Sequence, residues 1–137
     1  MKNKIKVGII GGAGYTGGEL IRILLNHPAA EIVFVHSKSN ADHFLYAVHK
    51  DLLGDTVLKF TSAITFNAKT KIIDLSQDFR LGGTVGKRKF VYGLPELNKA
   101  LIKKATNIAN PGCFATAIQL GLLPLAKAGL LKEIHTT

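Results

Sequence analysis

The sequence is poor in cysteine and has no long apolar run, and each shortage excludes a class of protein. Cys113 is the single cysteine among 137 residues, so no disulfide can form within the chain. Nothing in the composition suggests secretion, and we expect a cytoplasmic protein in a reducing compartment. The most apolar stretch, residues 113–126, is too short to span a bilayer, so we predict no membrane partner and a buried core helix there.

Acidic residues are also scarce, so the chain carries a large positive charge. Nine acidic residues stand against 18 lysines and arginines, which gives a formal net charge of +9. The basic residues are spread along the chain, and the one tight cluster, residues 87–89, has no nucleic-acid recognition motif beside it. We interpret the charge as a solvated surface that attracts small anions, and we predict no nucleic-acid partner and no metal site.

The hydrophobic pattern alternates between strands and helices, as in a parallel α/β sheet. We predict strands over residues 4–10, 31–36, 56–60, 71–75 and 106–110, and helices over residues 16–26, 42–50 and 96–104. Residues 133–137 have the pattern of a further strand. One interval does not fit, because only residues 61–70 separate two strands that would need a crossover of about a dozen residues or more. Either residues 63–66 form a small extra strand, or a strand-helix unit is absent.

A glycine-rich turn follows the first predicted strand. Residues 12–17 read Gly-Ala-Gly-Tyr-Thr-Gly and match G-x-G-x-x-G, where glycines permit a tight turn and a close approach to a pyrophosphate. The turn opens a helix inside the first strand-helix-strand unit, which is the context that makes this pattern informative. We therefore predict a dinucleotide site in a Rossmann-like, doubly wound, mostly parallel sheet. A merely structural glycine turn is the alternative.

The end of the second predicted strand indicates the type of dinucleotide. An NAD site usually carries an acidic residue there, whereas this chain has His36, Ser37, Lys38 and Ser39. Two hydroxyls and an ammonium group suit the 2′-phosphate of NADP, and no acid is present to repel it. NADP is therefore favoured over NAD, although an ordinary polar loop would have a similar composition.

Two further segments carry reactive or charged groups. Cys113 follows Asn110, Pro111 and Gly112 where a helix is expected to begin, and a helix N-terminus favours the nucleophilic thiolate. A small buried apolar residue is the alternative, and the local sequence leaves both open. Arg80 could bind an anionic substrate group, or it could form a salt bridge with an acid at position 74 or 78.

Four ordered segments resemble one enzyme family. Residues 11–19, 74–81, 92–97 and 110–117 are similar in order and content to N-acetyl-γ-glutamyl-phosphate reductases of arginine biosynthesis. The resemblance implies that Cys113 attacks an acyl phosphate, phosphate leaves, and NADPH reduces the thioester to a semialdehyde. It further implies which residues bind each group. The pyrophosphate would be bound by Gly12, Ala13, Gly14, Tyr15, Thr16 and Gly17, the 2′-phosphate by Ser37, Lys38 and Ser39, and the substrate by Arg80 and Asn110.

The sequence also departs from that family. Its members are more than twice as long, and they carry a strand and a glycine-containing loop in the region of residues 61–70. We therefore expect residues 1–137 to form an NADP-binding domain that ends in the catalytic-cysteine helix, without the substrate domain. None of the five histidines matches the family's acid-base histidine, and we expect surface or packing roles for them (His27, His36, His43, His49, His135). Missing partner surface predicts self-association or a homo-oligomer. A non-catalytic NADP-binding module is the alternative function.

Overall fold

The computed structural model describes residues 3–135, and its main strands and helices follow the predicted order, with three additional short strands within residues 84–92. The strands are β1 (Ile5–Ile10), β2 (Ala30–His36), β3 (Phe60–Thr61), β4 (Lys71–Asp74), β5 (Thr84–Val85), β6 (Arg88–Lys89), β7 (Val91–Tyr92) and β8 (Asn107–Ala109). The α-helices are α1 (Tyr15–Leu25), α2 (Leu45–Val48), α3 (Pro95–Lys104) and α4 (Cys113–Lys127), and a 3₁₀ turn covers Lys50–Leu52.

Six of these strands form one sheet in the order β3-β2-β1-β4-β8-β7. Every neighbouring pair in this sheet is parallel. The short strands β5 and β6 form a separate antiparallel ribbon. The strand order reverses direction between β1 and β4, which is the switch point where open α/β sheets bind ligands. The predicted Rossmann-like α/β fold is confirmed.

Apolar side chains cover both faces of the sheet. On one face, Ile21 of α1 packs with residues of the central strands, including Val7, Ile9 and Val35. On the other face, the cluster is Ile10, Phe34, Ile72, Phe90 and Ala109. Each of these side chains is at least nine-tenths buried, and burial of a valine, isoleucine or phenylalanine side chain stabilises the fold by about 1.5–3 kcal/mol.

The short connection between β3 and β4 is an irregular loop over residues 62–70, so the alternative of an extra strand at residues 63–66 is wrong. Arg88 holds this loop against the sheet. Its guanidinium donates to the carbonyl oxygens of Thr70 at 2.5 Å, Thr106 at 3.3 Å and Asn67 at 3.4 Å. The same group lies 4.8 Å from the ring centroid of Phe66. The carbonyls of Thr106 and Asn67 also accept backbone N–H groups, from Ile72 and Thr70, so Arg88 adds a charged donor that ties the loop to the end of the sheet.

Two predicted elements are shorter than expected. The helix predicted over residues 42–50 is reduced to α2, because Asp42 has a φ of 66° and the backbone pairs with a distant segment. Phe60 donates its N–H to the His43 carbonyl, and Leu45 donates to the carbonyl of Leu58. The strand predicted over residues 56–60 begins only at Phe60.

The C-terminal part of the described chain corrects another expectation. Helix α4 forms as predicted, but no residue of it is buried within residues 3–135, and the side chain of Phe114 is 67% exposed. The expectation of a buried core helix is therefore wrong for the described residues, and one tertiary hydrogen bond of α4 runs from the Tyr92 hydroxyl to Gln119 Oε1 at 3.1 Å. Residues 133–135 form no strand, and the rest of that predicted strand lies outside the described residues.

Candidate functional site

The glycine turn between β1 and α1 is closely packed, and most of its glycines are required by its geometry. Gly11 has a φ of +75°, a conformation that L side chains rarely adopt. A Cβ on Gly12 would lie 2.2 Å from Val35 Cγ1, and a Cβ on Gly17 would lie 2.3 Å from the Gly12 carbonyl oxygen. Gly14, the N-cap of α1, is exposed, and a Cβ there would make only an ordinary contact, 4.0 Å from the Gly11 carbonyl oxygen, so this glycine is not required by the packing. The close packing at Gly12 and Gly17 therefore places the backbone of the turn directly beside the first residues of α1. The solvent-exposed side of the turn is left free for an anion.

The remaining predicted pyrophosphate residues lie on the open side of this turn. Ala13 is half-buried, whereas Tyr15 and Thr16 are exposed in the first turn of α1. The N–H groups of a first helical turn have no partners within the helix, and they point along the axis toward the turn. This arrangement can bind a phosphate without any charged side chain.

The segment after β2 contains the predicted 2′-phosphate residues. Ser37 is buried, and its Oγ lies 3.4 Å from Ser39 Oγ. Asn40 donates from Nδ2 to both hydroxyl oxygens, at 3.2 Å and 3.1 Å. Lys38 is exposed between the two serines. Asn40 was missed by the sequence interpretation, although an amide next to a Ser-Lys-Ser run was a usable signal.

All of the predicted site segments leave the sheet at one edge. The last residue of β1, Ile10, is in register with His36 of β2 and Asp74 of β4, and Asp74 is in register with Ala109 of β8. Because these strands are parallel, their carboxyl ends meet at the same edge of the sheet. The structure thus brings together the glycine turn, the Ser37–Ser39 segment, the loop that contains Arg80, and the segment that leads to Cys113.

Cys113 is the first residue of α4, and its thiol is free and exposed. The structure therefore contradicts the alternative of a buried small residue. Gly112 is the helix N-cap in an extended conformation, and its carbonyl accepts hydrogen bonds from the N–H and Oγ of Thr116, at 2.9 Å each. A thiol at this position lies beside the positive end of the helix dipole.

Arg80 lies against the segment that precedes Cys113. Its Nε donates to the Asn110 carbonyl oxygen at 3.0 Å, and a Cβ placed on Gly112 would be 2.9 Å from Arg80 Nη1. The salt bridges found within residues 3–135 do not involve Arg80, so the predicted alternative of an ion pair with Asp74 or Asp78 does not form. Asn110 uses its own amide locally, donating to the Pro111 carbonyl at 3.2 Å. A guanidinium is therefore held next to the start of α4.

The carboxyl group of Asp74 is buried beneath this edge. One of its oxygens, Oδ1, accepts hydrogen bonds from the N–H and hydroxyl of Ser76, at 3.0 Å and 2.6 Å. Burial raises the pKa of Asp74, although the hydrogen bonds from Ser76 act in the opposite direction. Burial, followed by the charge of Lys38, lowers the pKa of His36. Asp74 is fully buried and Asp78 is exposed, so the two acids do not share one environment.

A mostly apolar groove of about 510 Å³ lies beside the glycine turn. Tyr15, Leu20 and Ile23 of α1 form one side, and Leu75 and Ile108 are among the residues of the other side. A groove of about 730 Å³ lies at the opposite edge of the sheet, where lysines 4, 6, 69 and 71 line it. That groove contains none of the predicted site residues, so we place the candidate site at the carboxyl edge.

Residues 3–135 contain no group of three or more histidine, cysteine, aspartate or glutamate side chains arranged to hold a metal ion. Among the same residues, no helix has both the length and the apolarity needed to cross a membrane.

Comparison with known proteins identifies relatives that match nearly all of the chain. Residues 6–67 match the family model described as semialdehyde dehydrogenase, NAD binding domain. N-acetyl-γ-glutamyl-phosphate reductase of Christiangramia forsetii is 51% identical over 152 residues, covering 94% of this chain and 47% of the relative. The same-named proteins of Flavobacterium johnsoniae and Bacteroides thetaiotaomicron are 52% and 50% identical, covering 96% and 90% of this chain and 48% and 45% of theirs. The predicted resemblance is confirmed.

The extent of these matches has two features. The chain spans about half the length of the curated relatives it matches. The alignment with the Christiangramia forsetii protein is 152 residues long, which exceeds the 137 residues of this chain. The relative therefore has residues in the aligned region that this chain lacks. The short connection at residues 62–70 is a natural position for such a gap.

Solved structures show the same fold in more distant proteins. Aspartate semialdehyde dehydrogenase from Candida albicans, solved with NADP, has a TM-score of 0.54 and 14% identity, covering 94% of this chain and 48% of that one. The Vibrio cholerae aspartate semialdehyde dehydrogenase II complex has a TM-score of 0.51 and 17% identity, covering 92% and 48%. At sequence identities this low, the similarity shows a shared fold and nothing further.

Proposed function

We propose that this chain, whose residues 6–67 match the NAD-binding domain model of semialdehyde dehydrogenases, binds NADPH and takes part in reducing N-acetyl-γ-glutamyl phosphate. The products would be the semialdehyde and inorganic phosphate, in a step of arginine biosynthesis. One observation carries the proposal: the glycine turn, the Ser37–Ser39 segment and the exposed Cys113 follow strands that end at the same sheet edge. A cytoplasmic location is part of the proposal, because a reducing compartment keeps a single exposed thiol in its free form.

The residues at this edge fit a dinucleotide phosphate. The close contacts at Gly12 and Gly17 leave the outer side of the turn open, and the first turn of α1 offers backbone donors to the pyrophosphate. Beside them, Lys38 supplies a positive charge and the two serines supply hydroxyls for a 2′-phosphate. When bound there, NADPH would supply the hydride that converts a thioester into an aldehyde.

The position of Cys113 suits nucleophilic attack on an acyl phosphate. Its thiolate sulfur adds to the acyl carbon, and the oxyanion that forms is within reach of backbone donors at the start of α4. The bond from carbon to the phosphate oxygen then breaks, inorganic phosphate leaves, and a thioester remains on Cys113. After reduction, the thiolate is expelled as the aldehyde forms, which regenerates the residue.

Arg80 and Asn110 have complementary roles in this proposal. The Asn110 carbonyl holds Arg80 Nε, so the other guanidinium donors lie along the segment before Cys113. A guanidinium in this position can bind the phosphate or the carboxylate of the substrate through two parallel hydrogen bonds. Asn110 would thus act mainly by orienting the arginine.

A non-catalytic NADP-binding module is the second candidate, and one observation favours it. No residue of α4 is buried within residues 3–135, so packing holds Cys113 less firmly than it holds the glycine turn. Cofactor binding depends on the well-packed part of the fold, whereas acyl transfer depends on this exposed helix. The two activities are therefore separable by experiment.

Cofactor binding is tested by titrating the chain with NADPH and with NADH. We expect tighter binding of NADPH, and Lys38→Ala should reduce that preference roughly tenfold, since it removes one charge-assisted contact. Lys103→Ala, an exposed lysine on α3, is the matched control and should bind both cofactors as the parent chain does. Equal affinities of the parent chain for NADPH and NADH would contradict the assignment of the 2′-phosphate site.

Catalysis is tested by mass spectrometry after incubation with the acyl phosphate in the absence of NADPH. The enzyme proposal predicts an acyl adduct on Cys113 and release of phosphate, both lost in Cys113→Ser. If the chain binds NADPH but forms no adduct, the binding-module candidate is correct for this chain.

A further inference from the structure

His49 reaches the glycine turn from a distant segment of the chain. Its Nε2 lies 2.8 Å from the carbonyl oxygen of Gly12, which is 37 positions earlier. A carbonyl oxygen can only accept, so Nε2 carries the hydrogen and donates it. The ring also lies against α1, because a Cβ on Gly18 would be 2.7 Å from His49 Nδ1. The imidazole thus contacts both the turn and the helix that would bind the pyrophosphate.

With the hydrogen bond from His49, both the N–H and the carbonyl of Gly12 have a hydrogen-bond partner. The Gly12 N–H already donates to the His36 carbonyl at 3.1 Å, at the end of β2. With its carbonyl held by His49, the peptide between Gly12 and Ala13 has a defined orientation. In a planar trans peptide, the C=O and the N–H point in opposite directions. The Ala13 N–H therefore points to the side of the turn away from His49.

We propose that His49 is a positioning residue of the dinucleotide site. By holding the Gly12 carbonyl, it keeps the N–H groups that follow directed at the pyrophosphate, without touching the cofactor itself. The inference rests on the proposed binding of NADPH, and it adds a residue that lies outside the glycine motif. A simple packing role, in which the ring only fills the space beside Gly18, makes different predictions.

Two replacements separate hydrogen bonding from packing. His49→Gln places an amide donor near the position of Nε2, whereas His49→Leu fills the space without a donor. We expect the leucine variant to bind NADPH roughly tenfold more weakly, because the Gly12 carbonyl loses its partner, and the glutamine variant to stay within about threefold of the parent chain. His43→Leu is the matched control, since His43 lies in the same segment with an exposed side chain.

A second perturbation approaches the same hydrogen bond from α1. The added methyl of Gly18→Ala would displace the ring, so this variant should weaken NADPH binding by about the same factor as His49→Leu. In a His49→Ala background, the space is vacant and Gly18→Ala should have no further effect on binding. Additive losses in the double variant would overturn the proposal, because they would show that the two residues act independently.

Hydrogen exchange of the amides of residues 12–17, measured without cofactor, keeps the inference distinct from the proposed function. We expect faster exchange at these amides in His49→Leu than in His49→Gln, together with similar thermal unfolding midpoints. If the parent chain does not bind NADPH, the proposed function fails and the exchange rates alone decide the role of His49. Equal exchange rates in the glutamine and leucine variants would overturn the positioning role, and so would equal NADPH affinities of the two variants if the parent chain binds NADPH.

Discussion

Replacing Gly17 with alanine tests whether close packing of α1 on the glycine turn is required by the fold. The added Cβ would lie 2.3 Å from the carbonyl oxygen of Gly12, 2.5 Å from its carbonyl carbon and 2.8 Å from its Cα. All three atoms are backbone, so no side-chain rotation can relieve the overlap. An ordinary contact begins near 3.4 Å, so helix and turn must separate by about 1 Å.

Two opposing effects set the size of the change in stability. Alanine in a helix interior stabilises by about 0.5–1 kcal/mol relative to glycine. Inserting a methyl group into a well-packed region destabilises by typically about 1–3 kcal/mol, and a contact with backbone lies toward the upper end of that range. We therefore expect Gly17→Ala to lower the free energy of unfolding by about 1–2 kcal/mol. Gly121→Ala is the matched control, because no atom lies within 4 Å of its added Cβ.

The measurement is urea unfolding followed by circular dichroism, with the free energy of unfolding obtained by linear extrapolation. Gly121→Ala should be slightly more stable than the parent chain, and Gly17→Ala clearly less stable. NADPH affinity should also fall in Gly17→Ala, since the turn and the helix start can no longer keep their relative positions. A Gly17→Ala variant as stable as the Gly121→Ala control would refute the argument from close packing.

Three further predictions concern stability and association. Arg88→Leu should lower the free energy of unfolding by roughly 1.5–3 kcal/mol in the same urea assay, because the Thr70 carbonyl loses its charged donor while the Thr106 and Asn67 carbonyls keep their backbone donors. Replacing the exposed Lys89 with leucine should have little effect. Burial raises the pKa of Asp74, so its stabilising contribution is present below about pH 4 and is lost as the pH rises toward the folded-state value. Asp74→Asn should therefore gain stability relative to the parent chain as the pH increases above about 4, and a constant difference would contradict this. The exposed apolar side chains of α4 predict self-association in sedimentation at high concentration, which Phe114→Ser should weaken; a monomeric parent chain would argue against it.

Much of the first half of the fold could be predicted from local sequence. The strands β1 and β2 and the helix α1 lie within one residue of their predicted bounds, because each has a continuous hydrophobic pattern and a clear boundary signal. The glycine turn was predicted for the same reason, since its spacing and its context lie within a dozen residues. The strand order beyond the first unit depended on long-range pairing, so the sequence indicated only that the sheet is parallel.

The errors lie where distant contacts override local preference. Residues 42–50 have a helical pattern, yet the hydrogen bond from Phe60 to the His43 carbonyl leaves only one helical turn. The apolar residues of α4 predicted burial, but burial depends on a covering surface, and the described residues place none over this helix. The contacts of Asn40 with Ser37 and of His49 with Gly12 could not be predicted, because these partners become neighbours only in three dimensions.

The sequence by itself determined the parallel α/β class, the glycine turn and the candidate residues for cofactor and thiol chemistry, because these depend on residue type and short spacing. Only the tertiary structure decided that Cys113 is exposed and that Arg80 binds the Asn110 carbonyl instead of an acid. Likewise, only the structure connected His49 to Gly12. These features depend on which strands become neighbours. The strand order in turn depends on the burial of apolar surface across the whole sheet, which local sequence does not reveal.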